Sequence, residues 1–259
     1  MKKLLAIILA VAMLVSVALL PGCSGNKDSG NTADAGKKYV IYSDNAFAPF
    51  EFLDKKTDKY IGVDMDIMAA VAKDQGFEYE MHNEGFDASM GAVQSGQADA
   101  MIAGMTITDE RKKTFDFSQA YFEDGQVLVA KPGSKVETFK DLKGKKVACK
   151  TSTVSGEYAE SIKKKYGFEI TYFEGSDTMY QAVVTGSADA CIEDFSVIGW
   201  AIESENVKLK ILTKPLNVKG YGFAVKKGSN SELLKKFDAG LKNIKKSGEY
   251  DEILKKYGY

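Results

Sequence analysis

The sequence predicts an α/β protein of two lobes joined by a two-stranded hinge, and three observations predict it. Strand and helix patterns alternate as β-α-β-α-β over residues 38–103, and the alternation restarts at residue 145. The stretch GAVQSGQADAMIAG (91–104) lays over QAVVTGSADACIED (181–194) with Ala, Val, Gly, Ala-Asp-Ala and Ile in register. Two extended segments, GQVLVAK (125–131) and VKGYGFAV (218–225), bracket the second run, as a chain requires that leaves one lobe, builds another and returns. The expected boundaries are 39–125 with 221–259 for lobe 1, and 126–220 for lobe 2.

Taken in order, residues 38–43 (KYVIYS) read as a short apolar strand. Pro49 then stops regular structure and leaves Phe47, Phe50 and Phe52 on or near a loop. Over 62–75 apolar residues recur at Val63, Ile67, Ala70 and Val71, a helical spacing. Acids occupy the first turn of that helix, where the macrodipole favours them, and Gly76 ends it. A strand over 77–81, a helix over 86–94 closed by Ser95-Gly96, and a strand over 99–103 follow. The last is apolar apart from its first residue, as buried parallel strands tend to be.

From that strand the chain ADAMIAGMTITDERKKTFDF (98–117) turns through a Gly-Met-Thr-Ile-Thr corner and delivers Arg111 one helical turn later. Exposed backbone N–H groups beside a guanidinium fork suit a small carboxylate. The second run reads as strands over 145–149, 169–173, 189–192 and 207–212, alternating with helices over 154–166, 178–185 and 195–204. Two amphipathic helices, over 231–246 and 249–256, complete the chain and are expected to pack back on lobe 1. Ligands of open α/β sheets bind outside the carboxyl ends of the strands. Residues 104–111 and the pair Glu193-Asp194 are both strand-end segments, one leading to base and one to acid, so both should face one cleft.

Net charge of −1, from 35 basic and 36 acidic residues with no basic stripe, excludes nucleic acid as an expected partner. At the amino terminus Lys2 and Lys3 precede an uncharged apolar run over 4–20 that ends in Leu20-Pro21-Gly22-Cys23. This reads as a lipoprotein export signal over 1–22 with Cys23 as the lipid-attachment residue; an uncleaved anchor helix is the alternative. Either way the protein is tethered outside the cytoplasmic membrane. Residues 23–38 carry no large apolar side chain before the first strand and read as a flexible tether. Cys149 and Cys191 each sit in an apolar strand pattern. A disulfide is permitted outside the cell, but two buried free thiols are the preferred reading. His82 is the single histidine, and no Cys/His spacing suits a metal, so neither a metal site nor a Ser-His-Asp hydrolase is expected.

TDERKKTFDFS, with SGQADAMIAGMTI before it, resembles the core motif of the bacterial amino-acid-binding proteins of ABC importers, the family 3 solute-binding proteins. SDNAFAPFEF, YIGVDMDI, KVACKTSTVSGEYA and GYGFAV resemble the other landmarks of that family in the same order, so the resemblance covers nearly everything from Tyr39 onward. The pattern is most like that of the glutamine-binding proteins. The resemblance implies a periplasmic-binding-protein-like (type II) fold whose hinged cleft closes on one free amino acid. It also implies an ABC importer permease as partner, a monomer, and no cofactor.

Carried over residue by residue, the resemblance implies that Arg111 grips the ligand α-carboxylate, with Thr106 and Thr153 adding donors from the two lobes. Asp194, helped by the carbonyl of Gly104, takes the α-ammonium; its alternative is to cap the helix beginning at Phe195. Phe47 and Phe86 sandwich the ligand side chain, while Asp44 and Lys150 meet its amide as acceptor and donor. Gly62 and Asp64 read as a turn and helix start without ligand contact. Glu193 departs from the glutamine pattern, which has a histidine there. Arg111 and Asp194 balance a zwitterion, and Asp44 and Lys150 balance each other. A Glu193 facing the cleft leaves one surplus negative charge and favours arginine or lysine; a Glu193 facing away leaves glutamine the better fit. A dehydratase on the same scaffold would have only Glu193 as its acid or base, and a sensor would be expected to carry a transmembrane extension. Delivery of a polar amino acid, glutamine first, without catalysis, is the expected function.

Overall fold

The computed structural model describes residues 37–259. The expected export signal, with Cys23 and nearly all of the expected tether, lies outside the described residues. Among the described residues no helix is long and apolar enough to cross a membrane.

The chain begins with β1 (Lys38–Ser43). The short strands β2 (Ala46–Phe47), β3 (Glu51–Asp54) and β4 (Lys59–Ile61) form an antiparallel sheet of their own. Then come α1 (Val63–Gln75), β5 (Glu78–Asn83), α2 (Phe86–Ser95), β6 (Ala100–Met101), β7 (Phe115–Phe117) and the long β8 (Phe122–Ala130). The second run is β9 (Lys146–Lys150), α3 (Val154–Tyr166), β10 (Glu169–Phe173), α4 (Ser176–Thr185), β11 (Ala190–Asp194), α5 (Phe195–Glu203) and β12 (Lys210–Ile211). The chain returns through β13 (Leu216–Tyr221) and β14 (Ala224–Lys226) and ends with α6 (Ser231–Ser247) and α7 (Glu249–Lys256).

Two main sheets result. The first has the order β5-β1-β6-β14-β7, with β1 parallel to β5 and β6; the second has β10-β9-β11-β8-β12, with β9 parallel to β10 and β11 and with β13 paired to β8. In each, the strand that starts the run lies between the next two, so connections leave it in opposite directions. This is the switch-point topology that opens a crevice at the carboxyl ends of the two middle strands. Those ends are Ser43-Asp44 and 102–104 in the first sheet, and Lys150 and Asp194 in the second.

Apolar side chains cover both faces of both sheets. Ile41, Ile67, Val71, Phe223, Phe237 and Leu241 fill one side of the first, and this is where α6 lies on α1. Phe223 and Phe237 stack there with centroids 4.3 Å apart. Burial of this kind is worth about 1.5–3 kcal/mol for each large side chain, which is why the tail helices belong to this lobe.

Three expectations need correction. Pro49 does interrupt regular structure, sitting with Phe50 in the turn between β2 and β3, but the flanks are more regular than expected: Phe47 pairs with Glu51 and Phe52 with Ile61, and the proline's missing N–H costs no ladder bond. The stretch 218–225 is two strands in two different sheets, since β13 joins β8 while β14 lies between β6 and β7. The expected strands at 99–103 and 207–212 shrink to two residues each, although Asp99 and Ile102 still donate to the Val40 and Tyr42 carbonyls, and Leu212 to that of Leu128.

Cys149 and Cys191 are free and buried. Cys191 lies opposite Ala148, so Cys149, one residue further on, faces the other side of the pleat. It packs with Ala159 of α3, whereas Cys191 packs with Met179 of α4. A bond between them has no path through the sheet.

Candidate functional site

The carboxyl ends of the four switch-point strands converge on one cavity. Asp44, Phe47, Phe86, Gly104, Thr106, Arg111, Lys150, Thr153 and Asp194 all line it, together with Ala103 and Val154. The space left between these side chains in the closed protein is small, about 20 Å³, room for about one water molecule.

Arg111 reaches the cavity from a short 3-10 turn, Arg111–Lys113, begun by its backbone N–H on Thr108 Oγ1 at 3.1 Å. Only 8% exposed, it donates from Nη1 to the Thr106 carbonyl and from Nη2 to the Ser152 carbonyl, both at 2.9 Å. The first bond stays in its own lobe and the second crosses to the other. Its guanidinium lies 5.3 Å from the centre of the Phe86 ring. Burial pulls its pKa down from the ordinary value, and Glu157 and Asp194 act in the opposite sense. A guanidinium stays protonated through such a shift, so a full positive charge stands at the cavity wall.

Gly104 ends the approach from β6 in a left-handed conformation, φ 51°, and a Cβ there would lie 2.5 Å from the Phe47 ring. No other residue lets the aromatic wall come so near the backbone.

Across the cavity, Asp194 is the last residue of β11 and stands at the N-cap position of α5, yet its side chain makes no capping bond. Asp124 of β8 caps that helix instead, accepting the Ser196 N–H at 3.0 Å. Asp194 is thereby free for other partners. It accepts from Ser155 Oγ at 3.0 Å, from Gln126 Nε2 at 3.1 Å and from the Tyr221 hydroxyl. Burial, and then the charge of Asp194, push Asp124 up to about 7.

At the far end Lys150 and Asp44 form an ion pair across the lobes, 2% and 1% exposed. Asp44 is held by the N–H groups of Asn45 and Ala46, and the Lys150 ammonium lies 4.9 Å from the Phe47 ring centre. Each aromatic therefore stands beside a cation. With Arg111 on Ser152 and Lys150 on Asp44, the two lobes are closed on each other.

Glu193, expected among the ligand contacts, does not line the cavity. Successive strand residues point to opposite faces: Asp194 faces α3 and the cavity, while Glu193 faces α4 and accepts from Ser176 Oγ at 2.8 Å and Tyr180 OH at 3.1 Å. Burial, and then Asp194, push its pKa up to about 7. Thr153 lines the cavity, but its hydroxyl is committed to the fold, donating to the Lys150 carbonyl at 2.8 Å and capping α3 by accepting the Gly156 N–H at 3.2 Å. Sequence reasoning missed Ser155, Gln126, Tyr221 and Asp124. The signal for one of them was present: Gln126 is the single polar side chain in the apolar extended run over 125–130.

Comparison with known proteins identifies the family. The model of the bacterial extracellular solute-binding proteins, family 3, matches residues 39–259. The ABC transporter glutamine-binding protein GlnH of Bacillus subtilis is 36% identical over 276 residues, spanning 99% of this chain and 97% of that one. A protein of Neisseria gonorrhoeae named as a probable histidine-binding protein is 35% identical over 257 residues, 96% and 94% of the two chains. The crystal structure of the arginine-, lysine-, histidine-binding protein ArtJ from Geobacillus stearothermophilus superposes with a TM-score of 0.78 at 39% identity, covering 86% of this chain and 95% of that one. The chain belongs to the family 3 bacterial extracellular solute-binding proteins, the amino-acid-binding components of ABC importers.

Proposed function

We propose that the protein is a lipid-anchored binding component that captures free L-glutamine in the interlobe cavity and hands it to a membrane permease. The observation that carries the choice of ligand is the charge count of the cavity wall. Arg111 and Asp194 stand at one end, one for each pole of a zwitterion, and Asp44 and Lys150 neutralise each other at the other end. With Glu193 turned toward α4, no surplus charge faces the ligand. A neutral amide matches that end: its NH₂ donates to Asp44 and its carbonyl accepts from Lys150.

In this reading Arg111, Thr106 and the start of α3 at Thr153 hold the carboxylate from both lobes. Asp194 and the Gly104 carbonyl hold the ammonium, and Phe47 and Phe86 flank the aliphatic stem. Bonds from both lobes to one small molecule favour the closed form over the open one, and closure is the state a permease would read. Cys23, after Leu20-Pro21-Gly22, carries the lipid, and the protein acts as a monomer.

A second reading, a basic ligand, draws support from the arginine-, lysine- and histidine-binding relative. In this cavity an arginine side chain must displace Lys150 from Asp44, at the cost of a buried unpaired ammonium. Titration calorimetry of the solubilised full chain with glutamine, arginine, lysine and histidine separates the two. Glutamine should bind at least about tenfold more tightly than the others, a difference of about 1.4 kcal/mol. Lys150→Met, which leaves Asp44 unpaired, should shift preference toward arginine. An unmodified protein that prefers arginine overturns glutamine as the ligand. Release of Cys23→Ser from the membrane fraction tests the anchor.

A further inference from the structure

Behind the cavity wall lies a second group of ionisable side chains that none of the ligand contacts uses. Glu51 of β3 and Asp64 in the first turn of α1 are both 0% exposed, and they are neighbours, since the Asp64 N–H donates at 2.9 Å to the carbonyl of Phe50, the residue before Glu51, and each carboxyl acts on the other's ionisation. Asp64 Oδ2 accepts from the Gly104 N–H and from the Tyr121 hydroxyl, each at 2.8 Å, and Tyr121 Oη also accepts the Gly104 N–H at 3.1 Å. That leaves Asp64 Oδ1 and both oxygens of Glu51 without a donor. Three orphaned acceptors in one dry place are costly, and two adjacent buried carboxylates costlier still. A single proton on Glu51, donated to Asp64 Oδ1, satisfies two of the three and removes the repulsion.

We propose that Glu51 and Asp64 share one proton as a carboxylic acid–carboxylate pair, and that this pair positions the Ala103–Gly104 peptide in the wall of the ligand cavity. The charge belongs on Asp64, which has two donors of its own and stands in the first turn of α1, where the macrodipole favours an anion. The proton belongs on Glu51, which has no donor at all. A trans peptide points its carbonyl opposite its N–H, so the bond from Gly104 to Asp64 fixes which way the Ala103 carbonyl faces. Glu51 is also the cross-strand neighbour of Phe47, whose ring packs on Gly104. Both residues are thus positioning residues, acting through backbone.

Other groups face the pair from every side. Asp44 lies beyond the end of β1, Lys150 on β9, Tyr121 ahead of β8 and Tyr250 on α7. Asp44 opposes ionisation of Glu51 and Lys150 favours it, while burial and Asp64 hold the Glu51 carboxyl well above the usual carboxylate range. Loss of the shared proton places two like charges together, and Asp64 must turn from Gly104.

The inference rests on the cavity being the ligand site, and the test separates the two. Infrared spectra of the unliganded full chain at about pH 8.5, within the range documented for buried glutamic acids, should contain a protonated-carboxyl carbonyl band that shifts in D₂O. Glu51→Gln keeps a donor toward Asp64 without a titrating proton and should remove the band. A wild-type spectrum without that band overturns the pair whatever the ligand is and whether or not the variant folds.

For positioning, glutamine affinity is measured from about pH 6 to pH 10 in both proteins. Deprotonation of the ligand ammonium weakens both equally, so the ratio of their dissociation constants isolates the pair. That ratio should change by about tenfold for each unit of pKa shift at stake, wild type losing more with rising pH. Parallel profiles overturn the positioning role. Failure of the wild type to bind glutamine would count against the proposed ligand alone, because thermal unfolding of the two unliganded proteins over the same range must still diverge.

Discussion

Arg111 illustrates how one residue acquires its meaning from burial. Among Asp109, Glu110, Lys112 and Lys113 it reads as one charge in a solvated run, and those four neighbours are exposed. Arg111 alone turns inward, because Thr108 starts the 3-10 turn and the Thr106 and Ser152 carbonyls wait for the two arms of its fork. Arg111→Lys keeps the charge but cannot reach both carbonyls and a carboxylate together. It should weaken amino-acid binding by about 2–5 kcal/mol, the range for breaking a buried charged hydrogen-bonded pair, while the thermal midpoint of the unliganded protein moves little. Calorimetry and a melting curve on the same sample test both halves. Arginine's place in the cavity was legible from its motif. The fate of Glu193 was not, because adjacent acids on one strand carry no label saying which face each takes; pairing of β11 with β8 and β9 decides it.

At the scale of elements, the junction of β11 and α5 assigns two aspartates to two tasks. The helix needs an acceptor at its first N–H groups, and the sequence offers Asp194 at the N-cap. A residue distant in sequence, Asp124, takes the task and releases Asp194 to the cavity. Replacing Asp124 by Ala removes the cap and should cost about 1 kcal/mol, measured by chemical denaturation. The sign of its pH dependence follows from its pKa of about 7, raised above the unfolded value by burial and by Asp194. A raised carboxyl contributes stability below its unfolded pKa and loses it as pH rises through the folded one. The cost of Asp124→Ala should therefore be larger near pH 5 than near pH 8. Most helices were legible to within two residues, since their apolar spacing and flanking glycines are local signals. The β2–β4 sheet was not, because strands of two to four residues are held by cross-strand partners rather than by any pattern of their own.

At the scale of the whole molecule, the closed cleft concentrates acids in dry surroundings. Asp64, Asp124 and Glu193 are each pushed up to about 7, burial being the largest cause in every case. All three shifts have one sign: the folded protein holds more protons than the unfolded chain between about pH 4 and pH 7. Stability should be highest on the acid side of neutrality and fall as pH rises through about 7, which thermal unfolding midpoints across that range will test. Carboxyls with lowered pKa values, such as Asp74 and Asp141, are exposed and screened, so they oppose this trend weakly. A protein whose midpoint rises steadily to pH 8.5 would contradict the buried-acid arrangement.

By itself the sequence determined the architecture and the chemical types at the site. Alternating apolar patterns, the internal repeat at 91–104 and 181–194, and the order of the motifs are local in the chain, so they survive without coordinates. Only the tertiary structure decided which side chains are released to the cavity and which are spent holding it together. Asp194 is freed by Asp124, Glu193 is turned aside by the pleat, the Thr153 hydroxyl is committed to α3, and Asp64 works from behind the wall on Gly104. The reason is physical. A buried polar group must find a partner, and in a cleft closed between two sheets most of those partners come from strands that are neighbours in space and distant in sequence.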